Sequence, residues 1–91
     1  GNAEAQCNLG GRYYKGRGVK QDYAKACELW EQLAKQGNAE AQYNLGVMYY
    51  KGRGVKQDYA KTCELWEQSA KQGYAQAQKK LKELNERLKE Q

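Results

Sequence analysis

Residues 13–25 read YYKGRGVKQDYAK, and residues 49–61 repeat that stretch letter for letter. Two glycines beside an arginine and a lysine suit a loop that cradles phosphate, but they equally suit a tight connector between two helices. A phosphate loop follows a strand and carries GxxxxGK[ST] or GxGxxG. Here the preceding residues have helical spacing and the third glycine is missing. Gly16 and Gly18 can supply positive φ for a reversal, and Val19 can plug the space between the helix ends. The segment therefore reads as a bend and nothing more.

The duplication extends well beyond this stretch. Residues 1–36 align on residues 37–72 without a gap, and five pairs differ: Cys7/Tyr43, Gly11/Val47, Arg12/Met48, Ala26/Thr62 and Leu33/Ser69. A third copy starts at Gly73, keeps Ala75, Ala77, Gln78 and Leu81 in register, and then becomes KKLKELNERLKEQ with no glycine connector. A period of this length marks a solenoid, in which units bury their apolar faces against neighbours. The expected organisation is one repeat domain over 1–91: unit 1 over 1–36, unit 2 over 37–72 and a capping helix over 73–91.

Each unit reads as two helices. Asn2 and Asn38 are candidate N-caps for the first helix of each unit, with Glu following in the first turn. At about 100° per residue, Ala5, Gln6, Arg12 and Tyr13 fall near Leu9, giving one packed face. Gly10 borders it and would admit a close neighbour. The second helix starts after Asp22 and places Tyr23, Ala26, Cys27, Trp30, Leu33 and Ala34 at i, i+3, i+4, i+7 spacing. Gly37 ends it as a left-handed residue. Ala26 and Leu33 lie to one side of Trp30, so Thr62 and Ser69 at the last full unit read as polar replacements on an uncovered end. Arg12 in place of Met48 reads the same way at the other end.

Composition narrows the function. The chain has 91 residues, 30% charged and 40% apolar, as expected of one small globular domain. Sixteen basic residues are interleaved with eleven acidic ones, which describes a solvated surface rather than a nucleic-acid footprint. No apolar run is long enough to span a membrane and no signal-peptide pattern opens the chain. The chain opens on Gly1 rather than Met, as a fragment or processed product would. There is no histidine, so the commonest general acid–base group is missing and Cys7 has no histidine partner to activate it. No metal or cofactor is implied.

The residues Ala39, Ala41, Leu45, Gly46, Tyr49, Gly52, Gly54, Val55, Asp58, Lys61, Ala70 and Gly73, with their counterparts one period earlier, closely resemble the Sel1-like repeat. That family is a relative of the tetratricopeptide repeat with a longer connector. The resemblance covers residues 1 to about 81. It implies an all-α, right-handed α/α superhelix of two helical hairpins plus a C-terminal capping helix, with the first helices lining a concave surface. It further implies a non-catalytic scaffold or partner-recognition role. One branch of that family staples helices through cysteines eight residues apart, and this chain departs from it. Cys27 and Cys63 sit at equivalent positions one period apart, too far for a bridge. Cys7 projects away from the Leu9 face, which leaves its exposure open, and the other two are expected to be buried. Three unpaired cysteines point to free thiols and a reducing compartment such as the cytoplasm.

On that geometry the stripe opposite Leu9 forms a groove. Its candidate partner-binding residues are Asn8, Tyr14 and Lys15 on the first helix, Tyr43, Asn44, Val47, Tyr50 and Lys51 on the third, and Lys79 and Lys80 on the last. It would be aromatic in the middle, wider where Cys7 and Gly11 remove bulk, and basic towards Lys79 and Lys80. Such a surface fits a protein or peptide with apolar anchors and acidic character. It lacks the consistently basic face of RNA-reading helical repeats. Leu29 and Leu65 lie off the central stripe and, if uncovered, would support a second reading: a homo-oligomer with no ligand. The near-identity of the two copies also fits an idealised or engineered repeat. Trp30 is the expected centre of the first unit, so Trp30→Ala should lower unfolding free energy by about 3–5 kcal/mol in urea titrations.

Overall fold

The computed structural model describes residues 2–89. Five helices follow one another: α1 (Asn2–Lys15), α2 (Tyr23–Lys35), α3 (Ala39–Lys51), α4 (Tyr59–Lys71) and α5 (Ala75–Lys89). The described residues contain no strand. Each helix packs on its neighbours in sequence, α1 on α2, α2 on α3, α3 on α4 and α4 on α5. The two hairpins therefore stack directly and α5 covers the end of the second.

The helix boundaries follow from capping chemistry. Asp22 accepts from the Lys25 backbone N–H at 3.1 Å, and Asp58 from that of Lys61 at 3.1 Å. Asn38 accepts from Ala41 N–H at 2.8 Å. At the end of α2, Gly37 takes φ +90°. There Gly37 N–H bonds Ala34 O and Asn38 N–H bonds Leu33 O, both at 3.0 Å. This satisfies two of the carbonyls that a helix end leaves free. Two glutamines join one unit to the next: Gln42 Nε2 donates to Ala34 O at 3.2 Å and Gln78 Nε2 to Ala70 O at 3.1 Å.

Within each hairpin a tryptophan from the second helix lies on a glycine of the first. A Cβ on Gly10 would fall 2.5 Å from Trp30 Nε1, and a Cβ on Gly46 would overlap the Trp66 indole in the same way. The indole N–H groups donate to the carbonyls one turn earlier, Trp30 to Cys7 O at 3.1 Å and Trp66 to Tyr43 O at 3.0 Å. The α1 surface that meets its own partner is therefore that of Cys7 and Gly10. Leu9, expected at the centre of a packed face, is 37% exposed. Its counterpart Leu45, with Ala41 and Met48, is buried because α2 precedes it. A first helix has two apolar sides in this stack, and α1 has a neighbour for one.

Three further expectations change. Thr62 and Ser69 are fully buried, not on an open end. Thr62 Oγ1 donates to Gly46 O at 3.0 Å, and Ser69 Oγ to Ala39 O at 2.7 Å, so that side of α4 grips α3. Leu65 is 7% exposed and belongs to the hydrophobic core. Leu29 is half-buried. The pair thus offers no bare apolar patch for self-association.

The duplicated segment is more than a bend. Three of its backbone N–H groups bond the preceding helix, Gly16 and Arg17 to Arg12 O and Asp22 to Tyr13 O. In the second copy the connector also clamps the first unit. Arg53 Nη1 donates to Tyr14 Oη at 2.6 Å, and its guanidinium lies 5.8 and 5.4 Å from the ring centres of Tyr14 and Tyr23. Cys27 Sγ donates to Arg53 O at 3.3 Å. Gly54 sits so close to α2 that a Cβ would fall 2.6 Å from Tyr23 O, whereas a Cβ on Gly18 would meet nothing.

These two glycines have nearly equal φ, +76° and +74°, so substitution to alanine strains both backbones by about 1–2 kcal/mol. Gly54→Ala must also push the units apart and should cost about 1–3 kcal/mol more than Gly18→Ala in urea unfolding. Equal costs would mean that the connector does not hold the stack together.

Candidate functional site

Two grooves open on the side of the first helices. The larger, about 870 Å³, lies between α3 and α5 with Trp66 of α4 at its base. Tyr43, Val47, Tyr50, Trp66 and Leu84 make its apolar lining; Lys51, Lys80 and Arg87 together with Glu83 and Glu86 make its charged rim. The aromatic rings hold one another in place. Tyr43 and Tyr50 each stack on Trp66 with centroids 5.9 Å apart, Tyr43 also meets Tyr74 at 5.5 Å, and Tyr50 meets Tyr59 at 5.3 Å. Arg87 Nη1 donates to Tyr50 Oη at 2.8 Å, as Arg53 does to Tyr14. The Lys80–Glu83 pair at 3.6 Å is half-exposed on both partners and adds little stability.

The smaller groove, about 530 Å³, lies between α1 and α3 beside the first connector. Asn8, Gly11, Arg12, Lys15, Arg17, Glu40 and Asn44 line it, with Cys7 at its base. Cys7 is 3% exposed, because α1 turns this side towards α2 and α3. Asn44 Nδ2 lies 3.8 Å from Cys7 Sγ. Burial, reinforced by the charge of Glu40, pushes the Cys7 thiol up to about 12. Burial and then Glu31 raise Cys27 to about 11, and burial and Glu67 raise Cys63. A nucleophilic cysteine needs the opposite shift. Cys63 is half-buried rather than buried.

The sequence-derived stripe is thus divided. Tyr43, Val47, Tyr50, Lys51 and Lys80 meet in the larger groove, and Asn8, Lys15 and Asn44 in the smaller. Tyr14 lines neither; its ring packs on Tyr23 and Trp30 with centroids 5.3 and 6.0 Å away, under Arg53. Lys79 is exposed outside both grooves. The sequence reading missed Leu84, Glu86 and Arg87, although continuing the α5 stripe from Lys80 and Glu83 at helical spacing reaches them. It also missed Trp66, taken as core, and Arg17, taken as connector. Among the described residues no group of metal-ligating side chains converges, and no helix is long and apolar enough to cross a membrane.

Comparison with known proteins agrees with this geometry. The family model described as the Sel1 repeat matches residues 3–38 and 39–74. Among solved structures, the chain is similar to a Sel1 repeat protein from Oxalobacter formigenes, with 35% identity and a TM-score of 0.85 over 88% of this chain and 33% of that one. It is also similar to a protective antigen present in uropathogenic Escherichia coli strains and displaying an SLR fold, with 43% identity and a TM-score of 0.81 over 84% of this chain and 16% of that one. The chain therefore spans a third or less of the length of these proteins. No curated protein matches it.

The thiols give this geometry a pH signature. Unfolded cysteines ionise near 9.0, whereas folded Cys27 and Cys7 do so near 11 and 12. Below pH 9 both states keep these protons and the stabilisation is complete. Above it the unfolded chain loses them first, so stability falls as pH rises towards the folded values. Urea midpoints measured at pH 8 and 10.5 should drop more for the unsubstituted chain than for the Cys7→Ala/Cys27→Ala variant. Identical drops would mean that these thiols are not buried.

Proposed function

We propose that this chain, which belongs to the Sel1 repeat family, is a non-catalytic interaction module that binds a peptide segment through an apolar anchor seated between α3 and α5. Sel1-like repeats are generally protein-interaction modules. The observation that carries the proposal is the open groove of about 870 Å³ in which the half-buried Tyr43, Val47 and Tyr50 present apolar surface over a floor of buried Trp66 and Leu84. Its size is that of a small-ligand or side-chain pocket, and its rigid aromatic lining is the kind on which interfaces concentrate their energy. Because the rings are already packed against one another, little side-chain entropy is lost when a partner docks.

The rim adds selectivity. Lys51 has no ion-pair partner among the described residues, while Lys80 is paired with Glu83 and Arg87 is bonded to Tyr50. The groove is therefore close to balanced in charge, and apolar contact is the larger contribution to affinity. The near-identical copies also fit an idealised repeat whose frame is held constant.

An unbiased displayed-peptide library tests the reading. Selected peptides should share an aromatic or branched apolar residue. Binding, followed by Trp fluorescence, should weaken at least about tenfold in Val47→Glu and measurably in Lys80→Glu, a change at a half-exposed rim position. Lys56→Glu, outside both grooves, should leave it unchanged. Peptides with no common apolar residue, or ones indifferent to Val47→Glu and Lys80→Glu alike, would rule the site out.

A further inference from the structure

The two copies act as each other's control, and their differences are not scattered. Of the five differing pairs, the three in the first helices all fall on one feature: Cys7, Gly11 and Arg12 line the groove between α1 and α3. Two of the changes remove volume, Tyr to Cys and Val to Gly, and a Cβ on Gly11 would still meet nothing within 4 Å. The third puts a guanidinium where the other copy has a buried methionine. Lys15 and Arg17 add two more cations, against the single carboxylate of Glu40.

Arg17 gives a second, independent indication. Its counterpart Arg53 donates to the hydroxyl of Tyr14, and Arg87, at the end of α5, donates to that of Tyr50. Among the described residues Arg17 has no such acceptor and lies exposed at the groove edge. Asn8 and Asn44 line the two walls, the Asn44 amide nitrogen lying 3.8 Å from Cys7 Sγ. Planar guanidinium and amide donors around an open space match carboxylate oxygens, which accept paired hydrogen bonds.

We propose that the groove between α1 and α3 binds the acidic side chains of a peptide, Asp or Glu, as a second subsite beside the apolar groove. This rests on the reading of the chain as a peptide-binding module. It places the cationic end of the surface at Arg12, Lys15 and Arg17, opposite to the Lys79 and Lys80 end expected from the sequence.

The probe is acetyl-Glu-Glu-Glu-Glu-amide, which has no charged terminus, titrated into the full chain labelled with ¹⁵N. The amides of Asn8, Gly11 and Gly18 should shift saturably, less so as salt is raised. Lys15→Gln and Arg17→Gln, both exposed, should each weaken the interaction at least about fivefold with the melting temperature unchanged. Absence of these shifts overturns the proposal. So does an equal response to a tetraglutamine peptide with a free C-terminus, which would assign the groove to a terminal carboxylate, or tighter binding of a short oligothymidine. The Trp66 indole signal separates the two readings. If an apolar peptide moves it while tetraglutamate moves nothing, this inference alone fails. If tetraglutamate saturates and the apolar peptide is silent, this inference stands and the apolar-anchor reading fails.

Discussion

The contact on which the rest of the structure depends is the indole of each second helix lying on a glycine of the first. A helical carbonyl is normally shielded by side chains of the following turn. With no Cβ at Gly10 or Gly46, the tryptophan ring reaches the backbone and its N–H bonds the carbonyl of Cys7 or Tyr43. The carbonyl has a second lone pair to give, so the helix ladder need not be broken. Burial of a large ring and satisfaction of its one polar atom are achieved together, which fixes the rotation of the first helix about its axis. That rotation decides what the groove side displays: the aromatic residues of α3 in one copy, Cys7 and Gly11 in the other.

Stacking depends on a second device. Small units bury too little surface to be stable singly and rely on the interface with the next. Here the interface combines apolar contact between α2 and α3 with the Arg53–Tyr14–Tyr23 cluster and the close seat of Gly54 on α2. The tyrosine of the second unit is held in a similar way, because Arg87 reaches Tyr50 from the end of α5. A helix without the glycine segment thus reproduces one polar contact of a full unit. Helix α5 is then both a cover for α4 and one wall of the larger groove.

Much of this was legible in the sequence, and the failures share a cause. The period, the capping aspartates, Gly37 and the central position of the tryptophans follow from local rules and from comparing the copies. What periodicity could not reveal was which of two apolar sides of a first helix meets its own partner and which meets the preceding unit, since α3 buries both. Leu9 and Cys7 were exchanged for that reason. Thr62 and Ser69 looked solvent-facing because their hydrogen-bond partners, the carbonyls of Gly46 and Ala39, leave no mark in a pattern of side chains. Arg53 and Tyr14 are 39 residues apart, and a charge in a loop gives no sign that an aromatic pair lies across from it. The stripe was affected accordingly: eight of its ten residues line a groove, but they divide between two grooves instead of forming one, and Tyr14 and Lys79 lie outside both.

The five differences between the copies separate by what the frame requires of each position. Ala26/Thr62 and Leu33/Ser69 are buried in both copies and alter only how a second helix grips its first. Met48 is fully buried where α3 packs on α2, whereas Arg12 on α1 is exposed. Cys7/Tyr43 is tied to what comes next: Tyr43 packs on Tyr74, whereas the position equivalent to Tyr74 one period earlier is Asn38, which offers no ring to stack on. Gly11/Val47 has no neighbour that dictates it. The side chains at these positions lie outside the tryptophan–glycine contact itself, so their size and charge can differ between the copies while that contact is kept. A frame held by backbone carbonyls and glycines, rather than by the residues on display, is what allows two almost identical units to present one aromatic groove and one cationic groove side by side.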